Sequence, residues 1–219
     1  MMSASASCTS SRVKSFPGAY DIMNKYQQME FFLHKNHGYL FTSEVEKASI
    51  SRTYLARFVK ENQLEKVAKG IYISPDTWPD ELYILQICNP RIVYWGETAL
   101  YLHGLLDRKY SDIYVSVPPK YNQTRLREQG IIVHQEKQEI YELGIVEIET
   151  NFENRVRTYD KERCICDLVK NRKKVEVQHF QTAMKTFMGD RTKNLSRFLM
   201  YGEKLKIRDE LMKYVEVML

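Results

Sequence analysis

The sequence predicts an α+β protein in two parts: a small helical unit closed by a β-hairpin, and a larger mixed α/β unit with a helical end. Three observations lead there. Between residues 21 and 61, apolar residues recur at spacings of three and four in separate runs, the period of amphipathic helices. Two short β-type runs follow, joined at Lys69-Gly70 and stopped at Ser74-Pro75-Asp76. Beyond residue 76, β-type and helical runs mix until Asp160, after which only the helical period persists. The 219 residues, 43% of them hydrophobic, suffice for a core, and the length suits one large domain or a small one joined to a larger. With 28% charged residues and few Gly and Pro, the chain is not broadly disordered.

The elements follow in order. Residues 1–20 read as a disordered tail, with Met23 as an alternative start. Asp21 to Asn36 reads as a helix capped by Asp21, with Ile22, Tyr26, Met29, Phe32 and Leu33 on its apolar face and Gly38 as its stop. A short helix runs from Thr42 or Ser43 to Ala48, where Ser43 and Glu46 have capping-box spacing. After a break at Ser49-Ile50, Ser51 caps a third helix, Arg52 to Glu61, with Leu55, Phe58 and Val59 as its stripe. Strands Leu64–Val67 and Gly70–Ile73 make the hairpin. Helix, short helix, tight turn, helix, hairpin is the order of a winged helix-turn-helix, expected over residues 21–75. In residues 76–219, helices are expected at Pro79–Cys88 and Glu97–Leu102, the second ended by Gly104. Strands are expected at Arg91–Tyr94, Asp112–Val117, Ile131–His134, Val146–Thr150 and Arg155–Tyr159. Asp160 caps Lys161–Asn171, and helices near Val177–Phe187, Leu195–Leu205 and Asp209–Met218 complete the chain.

The formal net charge of +5 is unevenly spread. Residues 21–75 hold 8 basic and 6 acidic residues, 76–150 hold 7 and 12, and 151–219 hold 16 and 10. Two basic regions flank an acidic middle, a distribution that attracts phosphate but also occurs on ordinary solvated surfaces. The 4 cysteines, Cys8, Cys88, Cys164 and Cys166, form no disulfide framework, so a reducing cytoplasm is expected. No apolar run approaches the ~20 residues that span a bilayer, so no membrane partner is expected.

The third helix carries the chemistry. At ~100° per residue, Leu55, Phe58 and Val59 turn one way, and Thr53, Arg57 and Lys60 turn the other. Tyr54 flanks this outer face, and Arg52 reaches out from its N-terminal edge. Arginine can bond a guanine edge bidentately and Thr53 can meet a base edge or a thymine methyl in a major groove. Ser51, with Thr42 and Ser43 at the matching place on the preceding helix, is a phosphate candidate, as are Lys66 and Lys69 on the hairpin.

Three blocks stand out: Gly38-Tyr-Leu-Phe-Thr-Ser-Glu-Val with Ile50-Ser-Arg-Thr-Tyr-Leu-Ala-Arg-Phe-Val-Lys and Leu64-Glu-Lys-Val-Ala-Lys-Gly-Ile-Tyr; Gly96-Glu-Thr-Ala-Leu-Tyr-Leu-His-Gly-Leu with Val115-Ser-Val-Pro; and Tyr159-Asp-Lys-Glu-Arg-Cys-Ile-Cys-Asp-Leu. Together they resemble AbiEi-type antitoxins, the repressor halves of abortive-infection toxin–antitoxin pairs. The resemblance implies double-stranded operator DNA with inverted repeats as one partner, and repression of the chain's own operon. It implies a nucleotidyltransferase toxin as the other, counteracted without a stable complex. The pattern departs at Ser49, where glycine is expected; a positive φ there would strain a serine.

Other motifs are set aside. Cys164 and Cys166, two apart on a helix, point about 200° from each other and read as packing residues rather than metal ligands. His103 lacks a nucleophile beside it and reads as a structural hydrogen-bonding group. No phosphate-binding glycine loop or paired aspartates appear, so neither enzyme activity nor cofactor is expected. A possible second contact surface comprises Arg155 and Arg157 on one strand and Lys170, Arg172, Lys173 and Lys174 at a helix end. Those lysines equally suit a solvated helix terminus that complements the dipole. Two rival readings stay open: a winged helix that docks only protein, and a nucleic-acid enzyme using the acidic middle and metal.

Overall fold

The computed structural model describes residues 24–107 and 111–218. The tail of residues 1–20, Cys8, and the predicted cap Asp21 with Ile22 lie outside them. The chain divides into two compact units between Trp78 and Pro79.

In the first unit, α1 (Lys25–Lys35) begins later than predicted, because Asn24 is its N-cap. The Asn24 side chain accepts from the N–H groups of Tyr26 and Gln27, and the Gln27 side chain accepts from the Asn24 N–H. That reciprocal box satisfies orphan donors at the helix start. Next come β1 (Tyr39–Phe41), α2 (Thr42–Lys47), α3 (Arg52–Glu61), β2 (Glu65–Ala68) and β3 (Ile71–Ile73). The α3 bounds are those predicted. The three strands form an antiparallel sheet in the order β1-β3-β2. Its first strand was not predicted: three residues are too few to show a period of two.

The predicted Ser43–Glu46 capping box does not form. Phe41 occupies the N-cap of α2 without a side-chain cap bond, so Thr42 and Ser43 are helical residues. Glu46 instead faces Arg52. The core of this unit packs Met29 and Phe32 of α1, Val45 of α2 and Leu55 and Phe58 of α3 with Ile50 and Leu64. Phe58 is fully buried, against the edge of the Tyr26 ring at 5.5 Å. Burial of such a side chain contributes about 1.5–3 kcal/mol.

The second unit is built on a five-stranded mixed sheet, with α4 (Glu81–Cys88), β4 (Val93–Tyr94), α5 (Gly96–Leu102), β5 (Tyr114–Val117), α6 (Thr124–Glu128), β6 (Ile132–Gln135), α7 (Gln138–Tyr141), β7 (Ile145–Glu149) and β8 (Arg155–Tyr159). The helical end is α8 (Lys161–Lys170), α9 (Val177–Gly189), α10 (Leu195–Leu205) and α11 (Arg208–Met218). Strand order is β6-β5-β4-β8-β7. The β5–β6 and β4–β8 pairs are parallel; β4–β5 and β7–β8 are antiparallel. The sequence reading missed α6 and α7, each of five residues or fewer and too short for periodicity to register.

Both faces of this sheet are covered. Val93 packs with α5, α8, α9 and α10, while its neighbour Tyr94 packs with Leu82, Leu85 and Leu126 from α4 and α6. Helix α8 runs through the core with every residue from Glu162 to Val169 buried. Asp160 caps it as predicted, accepting the Arg163 N–H at 2.8 Å. Cys164 and Cys166 are buried free thiols, in keeping with a packing role. Arg163, fully buried on α8, donates from Nε to Asp167 Oδ2 at 3.0 Å and from Nη1 to the Ile140 carbonyl at 2.8 Å, while its buried Nη2 has no hydrogen-bond partner among the described residues.

Candidate nucleic-acid interface

Helix α3 divides its residues sharply. Leu55 and Phe58 are buried, whereas Ser51, Arg52, Thr53, Tyr54, Arg57 and Lys60 are all exposed. Every residue predicted for the outer face lies on it. The turn that aims this helix is a Schellman closure: Ser49 N–H bonds the Glu46 carbonyl at 3.0 Å and Ile50 N–H bonds Val45 at 3.1 Å. Ser49 takes φ 58°, the left-handed conformation anticipated from the missing glycine. Ser51 stands at the N-cap with extended backbone and makes no side-chain cap bond, so its hydroxyl is not committed to the helix.

Two arginines of the face rest against carboxylates. Arg52 pairs with Glu46 at 3.0 Å and Arg57 with Glu61 at 2.8 Å. The arginine side chains remain 85% and 72% exposed, so water screens these pairs and they are weak and exchangeable. Hydrogen bonding from Arg57 holds the Glu61 carboxyl below the usual carboxylate range, keeping it charged beside the arginine. Lys60, Lys66 and Lys69 are exposed. Lys69 stands beside Gly70 at the hairpin tip, where φ 77° makes the turn.

Thr42 is placed differently from expectation. It is half-buried, and its backbone N–H donates to the Gly70 carbonyl at 2.9 Å, fastening the start of α2 to the hairpin tip. Ser43 beside it is exposed. Sequence reasoning also missed Lys25, whose Nζ lies 4.5 Å from the Tyr54 ring centroid. That cation–π contact holds the Tyr54 ring and adds a cation from α1 to the same surface.

The second predicted basic surface is partly drawn into the fold and partly exposed. Arg157 is half-buried and donates to the Ile92 carbonyl, and Lys170 pairs with Glu136 at 3.5 Å. Arg172 lies over the Phe180 ring at 4.3 Å. Arg155 is exposed beside Glu149, and Lys173 and Lys174 are exposed. His103 bonds the Tyr159 carbonyl at 2.6 Å, a structural role, and burial pushes its pKa down. Among the described residues, no group of three or more metal-ligating side chains is gathered, and no helix is long and apolar enough to cross a membrane.

The first unit is three helices with a small antiparallel sheet, displaying cations on the third helix. Residues 27–75 match the family model described as "Transcriptional regulator, AbiEi antitoxin". The resemblance read from residues 38–72 is thereby borne out. Over most of its length the chain is similar in fold to the crystal structure of the RV2827C protein from Mycobacterium tuberculosis. The TM-score is 0.52 at 11% identity, covering 83% of this chain and 72% of that one. No curated protein matches the chain.

Proposed function

We propose that this protein is a sequence-specific DNA-binding autorepressor and an antitoxin. The N-terminal unit acts as a winged helix-turn-helix with α3 in the major groove. Arg52, Thr53, Arg57 and Lys60 lie in the groove, while Ser43, Ser51, Lys66 and Lys69 hold phosphates on either side. One observation carries the reading: the whole outer face of α3 is open and cationic, and only exposed carboxylates compete for it. The regulator family matched over residues 27–75 supports it. The partners are operator DNA with inverted repeats and a nucleotidyltransferase toxin, counteracted without a stable complex.

Footprinting on the DNA upstream of its own gene tests the first half. Protection of an inverted repeat, weakened by salt, is expected. Absent or salt-insensitive binding would leave a protein-docking domain instead. Co-expression with a nucleotidyltransferase encoded next to it tests the second half: growth should be rescued, and toxicity that persists would remove the antitoxin role.

A further inference from the structure

A cavity of about 260 Å³ opens within the C-terminal unit, between α5, β6 and the C-terminal half of α8. That is just below the about 300–1,000 Å³ that ligand pockets occupy, so the cavity takes one ring system with the rest of a ligand at its mouth. Its apolar lining includes Leu100, Cys164, Leu168 and Val175. One wall is aromatic. The Trp95 and His134 rings stack at 4.4 Å and 9°, and the Tyr114 ring leans against Trp95 at 6.3 Å.

Fixed interactions hold that wall. Trp95 Nε1 donates to Asp167 Oδ2 at 3.0 Å, and His134 Nε2 meets Glu136 at 2.9 Å. A preset aromatic wall favours a planar ring, because little side-chain freedom is lost when the ring docks.

Charge accounting then selects the rest of the ligand. Asp167 is offset by Arg163 at 3.0 Å, whereas Glu97 is hydrogen-bonded to His179 Nδ1 at 3.1 Å, a partner that cancels its charge only when the imidazole is protonated. Among the charged residues that line the cavity, Lys174 is left exposed with no side-chain partner among the described residues. An anionic group placed at Lys174 would satisfy that lysine, provided it lies away from the Glu97 carboxylate across the cavity. Glu97 retains acceptor capacity for N–H or O–H groups on the ring or a sugar.

We propose that this cavity binds a mononucleotide, with its base along the Trp95–His134 wall and its phosphate on Lys174. The inference does not rest on DNA binding by the N-terminal unit. The chain has 2 tryptophans, and Trp78 is 78% exposed, so full-length protein carrying Trp78→Phe leaves Trp95 as the single indole reporter. Its fluorescence is titrated with AMP, GMP, adenosine and inorganic phosphate. Saturable quenching by AMP or GMP is expected. Adding Lys174→Ala should weaken nucleotide binding about tenfold, the usual worth of one charge-assisted hydrogen bond, and leave adenosine unchanged. Because Lys174 is a surface residue, the variant folds. No saturable quenching by either nucleotide at millimolar concentration would overturn the proposal. So would equal nucleotide binding with and without Lys174, or quenching by phosphate alone that matches AMP.

Discussion

Ile50 closes the turn after α2 by donating its N–H to the Val45 carbonyl at 3.1 Å, and this places Ser49 at φ 58°. An L-residue held there costs roughly 1–2 kcal/mol, whereas glycine adopts the conformation freely but loses more entropy on folding. The net prediction is that Ser49→Gly stabilises the protein by about 0.5–1 kcal/mol and Ser49→Val destabilises it by at least as much. Urea midpoints of the variants measure this; a lower midpoint for Ser49→Gly would mean that the serine hydroxyl contributes something the turn geometry does not reveal.

Arg57 and Glu61 predict opposite effects on DNA. Arg57→Ala should weaken specific binding by ~1–3 kcal/mol, the worth of a bidentate base contact. Glu61→Gln removes the carboxylate that occupies Arg57 at 2.8 Å and that repels phosphate, so binding should tighten. A gel-shift titration decides both, and unchanged affinity for Arg57→Ala would remove that residue from the base-reading set.

Lys69, at the hairpin tip, is assigned to backbone rather than bases. Lys69→Ala should weaken binding to all sequences alike and lower the slope of log K against log salt by about one unit. Measuring affinity for operator and scrambled duplexes across a salt series separates the outcomes. A parental slope would place the hairpin tip away from the duplex.

How far the site was readable follows from where each residue's partners lie. Helix α3 was legible to the residue because its apolar stripe and its Ser51 start are local signals. The cap of α1 was misassigned although Asn24-x-x-Gln27 is itself a box spacing, since Asp21 offered an earlier cap to the same apolar run. Lys25 was invisible because its partner Tyr54 sits on another helix, 29 positions along. The same blindness made the C-terminal basic cluster look more open than it is. Arg157 donates to the carbonyl of Ile92 and Lys170 pairs with Glu136, contacts that only the folded sheet creates.

The half-buried Glu136 site yields a pH prediction. Hydrogen bonding from His134, assisted by the charge of Lys170, pulls the Glu136 pKa down to about 2. A carboxyl depressed in the folded state binds protons more readily when unfolded, so its contribution is present above the unfolded value of 4.5 and is lost as pH falls toward about 2. Glu136→Gln should therefore lower the Tm at neutral pH. The gap from the parent should narrow as pH drops through that window, because the parent is then losing the charge the variant never had. Partial solvent exposure keeps the effect small, about 1 kcal/mol or less at neutral pH. Thermal unfolding of both proteins from pH 7 to pH 2 measures the gap, and a constant difference would show that packing around Trp95 and His134, rather than the Glu136 charge, is what the substitution disturbs.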